Sequence, residues 1–235
     1  MIYAGILAGG YGWDQRKDDM PKQFMPVGSK PILIHTVEQF IVNPWIHKIM
    51  IAVPENWVVY ATDLLRKNVT VSDKIDVILG GNNKNNTLRR MVDFIGTEYG
   101  IEEEDVLVSH DAIRPFVTQR IINENIEAVR KYDSANTAVP TIDTIIKAGK
   151  EKQIIEITPD RIFYSEQTPQ TFCLKKLQEV YKNEQLAKRH VNAVKMFMEA
   201  GYSVQLVHGE YSNIKIVTQY DLEVANAILR DKIDD

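Results

Sequence analysis

The chain has 235 residues, 44% of them hydrophobic and 26% charged, so it can bury a core without disulfides or other staples. Its 28 basic and 32 acidic residues leave a net charge of −4, and no basic run marks a nucleic-acid face. One cysteine, Cys173, excludes a disulfide framework or a multi-cysteine zinc site within the chain.

No apolar run approaches the ~20 residues of a membrane span, and the opening MIYAGILAGG has no basic leader. These features describe a reduced, soluble, cytoplasmic protein. Ile2–Leu7 reads as a first strand running into a long polar loop, Ala8–Lys22. Leu33, Val37, Phe40 and Ile41 recur at helical spacing before Asn43-Pro44. Ile49–Val53 reads as a strand, and Trp57, Ala61, Leu64 and Leu65 give a helical face. Val77–Leu79 is a short strand opening into Gly80-Gly81, after which Leu88, Met91, Val92 and Ile95 form a helical stripe.

Val106–Ser109 reads as a strand ending at His110-Asp111, followed by a helix carrying Ile122, Ile126 and Val129. Thr137–Val139 suggests one more core strand. Ile142–Lys147 and Gln153–Ile157 flank AGKEK as a hairpin too polar for the sheet centre, so an arm is expected over about residues 142–162. Helices at Leu174–Asn183 and Val191–Ala200, a strand at Val204–His208 and a capped helix from Thr218-Gln-Tyr-Asp221 complete the chain. Strands alternating with helices predict one α/β domain over 1–235, with a mostly parallel twisted sheet and helices on both faces.

In open α/β sheets ligands bind beyond the carboxyl ends of strands, which singles out four loops. The first, LAGGYGWDQRKDDMPKQF (residues 7–24), lets backbone approach an anion at its glycines, or is a flexible surface loop. It lacks the Gly-Lys-Ser/Thr of a Walker loop, and Gln15 stands where a dinucleotide fingerprint needs its third glycine. Lys22, between Pro21 and Gln23-Phe24, suits a phosphate contact or is a plain surface lysine. The second, GGNNKNNT (80–87), could meet a base or ribose, or cap a helix.

The third, VSHDAIRPF (108–116), sets Asp111 three residues before Arg114, either a metal-and-phosphate site or a structural ion pair. His110 is read as orienting that loop and not as a base. The fourth, GEYSNIKIVT (209–218), carries Lys215 toward the same crevice, or to the surface.

In this order AGGxG, PKQ, GG, HDxxRP, Asp143-Thr144, TPQTF and NIK resemble the cytidylyltransferases of sugar and polyol phosphates over essentially the whole chain. Two branches of that family act on methylerythritol phosphate and on ribitol 5-phosphate, the latter for teichoic-acid synthesis. MIYAGILAGG, PILIHTVEQF, SEQTPQTF and GEYSNIKIVT look most like the ribitol branch.

The resemblance implies a Rossmann-like nucleotidyltransferase that is a homodimer through its β-arm and uses CTP, Mg²⁺ and a polyol phosphate. It implies nucleotide contacts from Leu7, Ala8, Gly9, Gly10, Gly12, Gly80, Gly81, Thr87 and Asp111, with Asp111 beside the metal. Lys22, Arg16 and Lys215 would be the catalytic cations. Asp111, Arg114 and Lys215 would hold the acceptor, joined by Thr144 and Arg161 across the dimer. A reductase supplying the polyol phosphate is the partner the ribitol branch implies; nucleic acid and membrane are not expected.

The sequence departs from the family in its first loop, usually GxGTRMG. Here Asp14 stands at the arginine position and Arg16 at the later glycine, reversing the charge beside a triphosphate, with Arg16 or Lys17 left to compensate. Lys84 replaces an arginine in the second loop, and Val191-Asn192 replaces a Thr-Asp helix start, a change expected to affect folding more than chemistry. The alternatives are a methylerythritol-phosphate enzyme and a nucleotide-binding paralogue of weak activity. Cys173 reads as a small buried hydrophobe.

Overall fold

The computed structural model describes residues 1–9, 20–69, 73–158, 163–190 and 192–234. Its elements in chain order are β1 (Ile2–Leu7), β2 (Pro26–Val27), β3 (Lys30–Pro31), α1 (Ile32–Ile41), β4 (Lys48–Val53), α2 (Val58–Asn68), β5 (Ile75–Leu79) and α3 (Lys84–Glu98). There follow β6 (Val106–Asp111), α4 (Gln119–Val129), β7 (Ser134–Pro140), β8 (Ile145–Ala148), β9 (Ile154–Thr158) and β10 (Tyr164–Cys173). The last are α5 (Leu174–Lys182), α6 (Glu184–Arg189), α7 (Ala193–Glu199), β11 (Val204–His208) and α8 (Gln219–Asp234).

Seven strands form one sheet in the order β11-β7-β10-β6-β1-β4-β5. All its pairs are parallel except those that β10 makes with β6 and β7. The apolar runs of β1, β4 and β6 are continuous because each strand is covered on both sides, and their residues alternate between two cores. Ile2, Ala4, Ile6, Ile49, Ile51, Val53, Val106 and Val108 pack with α1, α2 and α4. Tyr3, Met50, Ala52 and Leu107 pack with α3, α5 and α7. Gly5 belongs to the second face, where a Cβ would lie 2.7 Å from Met91 Sδ. A third cluster seats α8 on β2 through Val27, Ile32, Phe116, Ile216 and Ala225.

From β1 the chain lays β4 and then β5 on one side, and α3 carries it back to place β6 on the other. The strand order therefore reverses at β1/β6, and a crevice opens beyond their carboxyl ends. Ala8 and Gly9 after β1 and the loops after β5, β6 and β11 gather there.

The structure departs from the sequence reading at β10, at the α5–α6 junction, at the start of α7 and at Cys173. β10 reads poorly as a strand because Gln167, Thr168, Gln170 and Thr171 are polar and buried. Internal partners satisfy that segment: Thr137 Oγ1 donates to Pro169 O at 2.7 Å and Ser134 Oγ to Thr171 O at 2.9 Å. The helix expected to end at Asn183 is followed at once by α6, since the Asn183 side chain accepts from Leu186 N at 3.3 Å and restarts the helix. The following helix begins at Ala193, where the Asn192 side chain accepts from Lys195 N. Cys173 is half-buried, its thiol 3.7 Å from Glu103 O, and not the fully buried residue expected.

The arm is a separate antiparallel pair, β8 with β9, running from Ile145 and not from Ile142. Ile146 faces Ile157 across it. Ile142, Ile146, Ile154, Ile155 and Ile157 are 52% to 75% exposed, an apolar surface out of keeping with the rest of the chain.

Candidate active site

β6 ends in Asp111, whose carboxylate collects three cations from three loops. Lys84 Nζ lies 3.2 Å from Oδ1, while Arg114 Nε and Lys215 Nζ lie 3.4 and 3.3 Å from Oδ2. Burial alone would raise the Asp111 carboxyl, but Lys84, then Lys215 and Arg114, outweigh it and hold the group ionised far below the usual carboxylate range. The pairs are longer than the ~2.7–2.9 Å of a tight charge-assisted bond, so Lys84 and Lys215, each more than 40% exposed, can turn to an arriving anion. Three cations meet one carboxylate here, so the cluster carries a net positive charge.

The β6–α4 turn is held rigidly beneath that carboxylate. Arg114 N donates to Asp111 O at 3.1 Å, and Arg114 Nη1 donates to Asn213 O at 2.8 Å. Asn213, fully buried, donates its Nδ2 to Thr168 O at 2.9 Å, and Ile216 N donates to Ile113 O. These bonds tie the loop after β11 to the loop after β6, which is why Lys215 reaches Asp111.

His110 completes the scaffold. Its Nε2–H donates to Arg114 O at 3.0 Å, leaving Nδ1 to accept from the Thr168 hydroxyl, which itself accepts from Asp111 N. Burial is the main cause that lowers its pKa to about 4, so it is neutral and fully engaged at pH 7, in line with a loop-orienting role. The unfolded chain takes up this proton near pH 6.5, whereas the folded chain refuses it until about 4. The resulting stabilisation is complete above about pH 6.5 and drains away as the pH falls toward 4. Equilibrium unfolding of the wild type is expected to weaken over that window, and His110→Gln to flatten the slope; equal slopes would place the titration elsewhere.

The opposite wall is backbone. Ala8 N donates to Ala52 O at 2.9 Å, and Ala8 O accepts from the buried Gln23 Nε2 at 2.6 Å. Leu7 O accepts from Ala112 N at 3.2 Å. Gly9 and Gly80 approach so closely that a Cβ on Gly80 would lie 3.1 Å from Gly9 Cα and 3.3 Å from Val53 O. Gly81 N donates to Thr87 Oγ1 at 2.9 Å, and that hydroxyl donates to Asn83 O. Thr87 is thus spent in shaping the loop. The result is a glycine cradle, which the Ala112 N to Leu7 O bond joins to the β6 turn.

Lys22 donates its Nζ to Val217 O, which brings the PKQ segment beside the Lys215 loop. Gly10, Gly12 and Arg16, with Trp13 and Asp14, lie outside the described residues, as does Arg161. Thr144 is exposed at the root of the arm, and no described hydrogen bond or ion pair joins it to Asp111. Sequence reading missed Lys84 as a partner of Asp111, Asn213 as the brace of Arg114 and Gln23 as the brace of Ala8. The signals were present in PKQ and NIK, but without coordinates those residues had no stated partner.

A divalent cation fits this donor set in one way. The described residues contain no group of three His, Cys, Asp or Glu side chains able to hold a metal. Mg²⁺ commonly takes one or two carboxylates and completes its shell with substrate phosphates and water, and Asp111 can supply that carboxylate.

Switch-point crevice, glycine cradle and cation cluster together define a nucleotidyltransferase of the open α/β class. The chain matches the 2-C-methyl-D-erythritol 4-phosphate cytidylyltransferase family over residues 2–231, belongs to that family, and is a cytidylyltransferase. Among solved structures, the Francisella tularensis 2-C-methyl-D-erythritol 4-phosphate cytidylyltransferase is 27% identical, with 96% of this chain and 98% of that one covered and a TM-score of 0.77. The 4-diphosphocytidyl-2C-methyl-D-erythritol synthase of Anaerococcus prevotii has 24% identity, coverage of 97% and 96%, and a TM-score of 0.81. The cytidylyltransferase of Thermus thermophilus has 22% identity, coverage of 98% and 100%, and a TM-score of 0.73. The last two attest the shared fold.

Proposed function

We propose that this cytidylyltransferase transfers CMP from CTP to ribitol 5-phosphate, forming CDP-ribitol and pyrophosphate for a teichoic-acid-type polymer. The observation that carries the phosphate chemistry is the ring of Lys84, Arg114 and Lys215 around Asp111, opposite the Gly9/Gly80 cradle. The choice of ribitol rests on the ribitol-like stretches of the sequence, from MIYAGILAGG to GEYSNIKIVT.

A phosphate oxygen of the acceptor attacks the α-phosphorus of CTP as the bond to the β-phosphate oxygen breaks, and pyrophosphate carries the electron pair away. The nucleophile is already an anion, so no base is needed, in keeping with a neutral His110. Two polyanions must be brought together, which makes positioning and charge neutralisation the main terms. In this reading Arg114 and Lys215 hold the acceptor phosphate, Lys22 and Lys84 face the triphosphate, and the glycine cradle seats cytidine. When bound, Mg²⁺ would offset charge on the phosphates, with Asp111 as its protein ligand.

The arm supports a homodimer, since its exposed isoleucines would be covered by a second copy, and Thr144 and Arg161 would then serve the neighbouring pocket. Replacing Ile146, Ile155 and Ile157 by serine is expected to yield monomers in sedimentation velocity; an unchanged dimer would refute the arm as the interface. No described helix is long and apolar enough to cross a membrane. A cytoplasmic location and a reductase supplying ribitol 5-phosphate complete this reading.

Methylerythritol phosphate is the rival acceptor, favoured by the family match and by the 27%-identical Francisella tularensis enzyme. The deciding experiment measures pyrophosphate release from CTP and Mg²⁺ with each acceptor. Turnover above about 0.1 s⁻¹ with ribitol 5-phosphate, at least tenfold above the rival, is expected. Equal or reversed preference would overturn the assignment. CTP binding without turnover on either would point to a nucleotide-binding paralogue.

A further inference from the structure

Glu166 lies within SEQTPQTF, but the sequence reading gave it no role. It lies on β10 opposite Ala138 of β7, two residues before the Thr168 hydroxyl that receives Asp111 N–H. Three side-chain amides from three elements clamp it. Asn136 Nδ2 of β7 and Gln170 Nε2 of β10 each donate to Oε1 at 2.9 Å. Asn192 Nδ2, from the residue capping α7, lies 3.2 Å from Oε2 and 3.4 Å from Oε1.

Oε1 is therefore saturated, while Oε2 has a single donor on an exposed residue, which leaves it acceptor capacity. Among the described residues no lysine or arginine forms an ion pair with Glu166, yet its charge acts on the Arg114 guanidinium. Neutral dipoles thus fix the carboxylate's direction without cancelling its charge, on the strand whose Thr168 hydroxyl accepts from Asp111 N.

A bare carboxylate repels phosphate. It is useful there only toward the uncharged part of a ligand, where hydroxyls can donate to it, and it disfavours any second anionic group. The geometry points to Glu166 as a specificity-determining residue that accepts hydrogen bonds from the hydroxyls of a polyol monophosphate whose phosphate is held by Arg114 and Lys215. This rests on the proposed polyol-phosphate reading of the site. Tying α7 to the sheet is a structural service the same residue performs, so the test must separate the two.

The test compares wild type, Glu166→Gln and Glu166→Ala. With ribitol 5-phosphate, KM for the acceptor is expected to rise at least about tenfold in both variants, the range for a lost hydrogen bond to a charged group. The KM for CTP and kcat should stay within about threefold. Pentyl phosphate, which has the phosphate and no hydroxyls, should inhibit the variants as well as or better than the wild type.

An unchanged acceptor KM, or parallel weakening of ribitol 5-phosphate, pentyl phosphate and CTP with a lowered Tm, would overturn the proposal and leave Glu166 a structural brace. If the wild type turns over only methylerythritol phosphate, the ribitol reading fails while the same variants judge Glu166 with that acceptor. If neither acceptor reacts, calorimetry of ribitol 5-phosphate on the CTP-loaded protein decides, and absence of binding overturns both.

Discussion

Substitution of Arg114 by alanine is expected to lower kcat/KM by about 10²–10³-fold, the usual cost of one lost electrostatic contact in a transition state of this kind. Its guanidinium is largely buried, bonded through Nη1 to Asn213 O and paired through Nε with Asp111. It therefore stands pre-oriented, and little ordering is left to do when a phosphate arrives. Removing it also strips Asp111 of one of three cations, and Lys84 and Lys215 would be drawn more tightly to the carboxylate and away from substrate. Arg114→Lys keeps the charge but cannot span Asn213 O and Asp111 at once, so it should recover only part of the loss. Far-ultraviolet circular dichroism should be unchanged in both variants. Full activity in Arg114→Ala with an intact fold would remove this residue from the site and the pairing with Asp111 would then be structural only.

Gly81→Ala is the second large effect, and it acts through backbone. A Cβ there would stand 2.6 Å from the carbonyl carbon of Asn86 and 2.7 Å from Asn86 Cβ and Thr87 N. Two of these are main-chain atoms in the first turn of α3, so relief requires moving the helix start and breaking the Gly81 N to Thr87 Oγ1 bond. Overpacking of this sort costs about 1–3 kcal/mol, a fall in Tm of several degrees for a chain of this size. The displaced turn carries Lys84, so CTP affinity should fall at least about tenfold as well. Gly96→Ala, in the last turn of α3 with no neighbour outside its own helix nearer than 3.5 Å to its Cβ, is the control and should hold or slightly raise Tm. Equal behaviour of the two variants would mean that the loop yields freely and is no cradle.

Much of the fold was legible because its signals are local. β1, β4 and β6 are apolar runs of strand length, and Leu88, Met91, Val92 and Ile95 sit on one face at helical spacing. The Thr218–Asp221 box closes as read, with Asp221 N donating to Thr218 Oγ1 and Thr218 N to Asp221 Oδ2. The arm was legible as a hairpin too polar for the sheet centre, and only the structure shows its isoleucines exposed. β10 was hidden because its polar residues are satisfied by partners far away in sequence, such as Thr137 and Ser134.

The site divides the same way. Asp111 and Arg114 are three residues apart at a strand end, and local sequence suffices to pair them. Lys84 and Lys215 come from loops after β5 and β11, strands at opposite edges of the sheet, and nothing local relates them. The sequence alone determined the succession of strands and helices, the glycine positions and the order of family motifs, since backbone conformation and side-chain periodicity are short-range properties. Only the tertiary structure decided that Lys84, Arg114 and Lys215 converge on one carboxylate, that Thr87 is consumed within its loop, and that Glu166 stands clamped by three amides. Those facts depend on strand order and on hydrogen bonds between distant segments, which no spacing along the chain encodes.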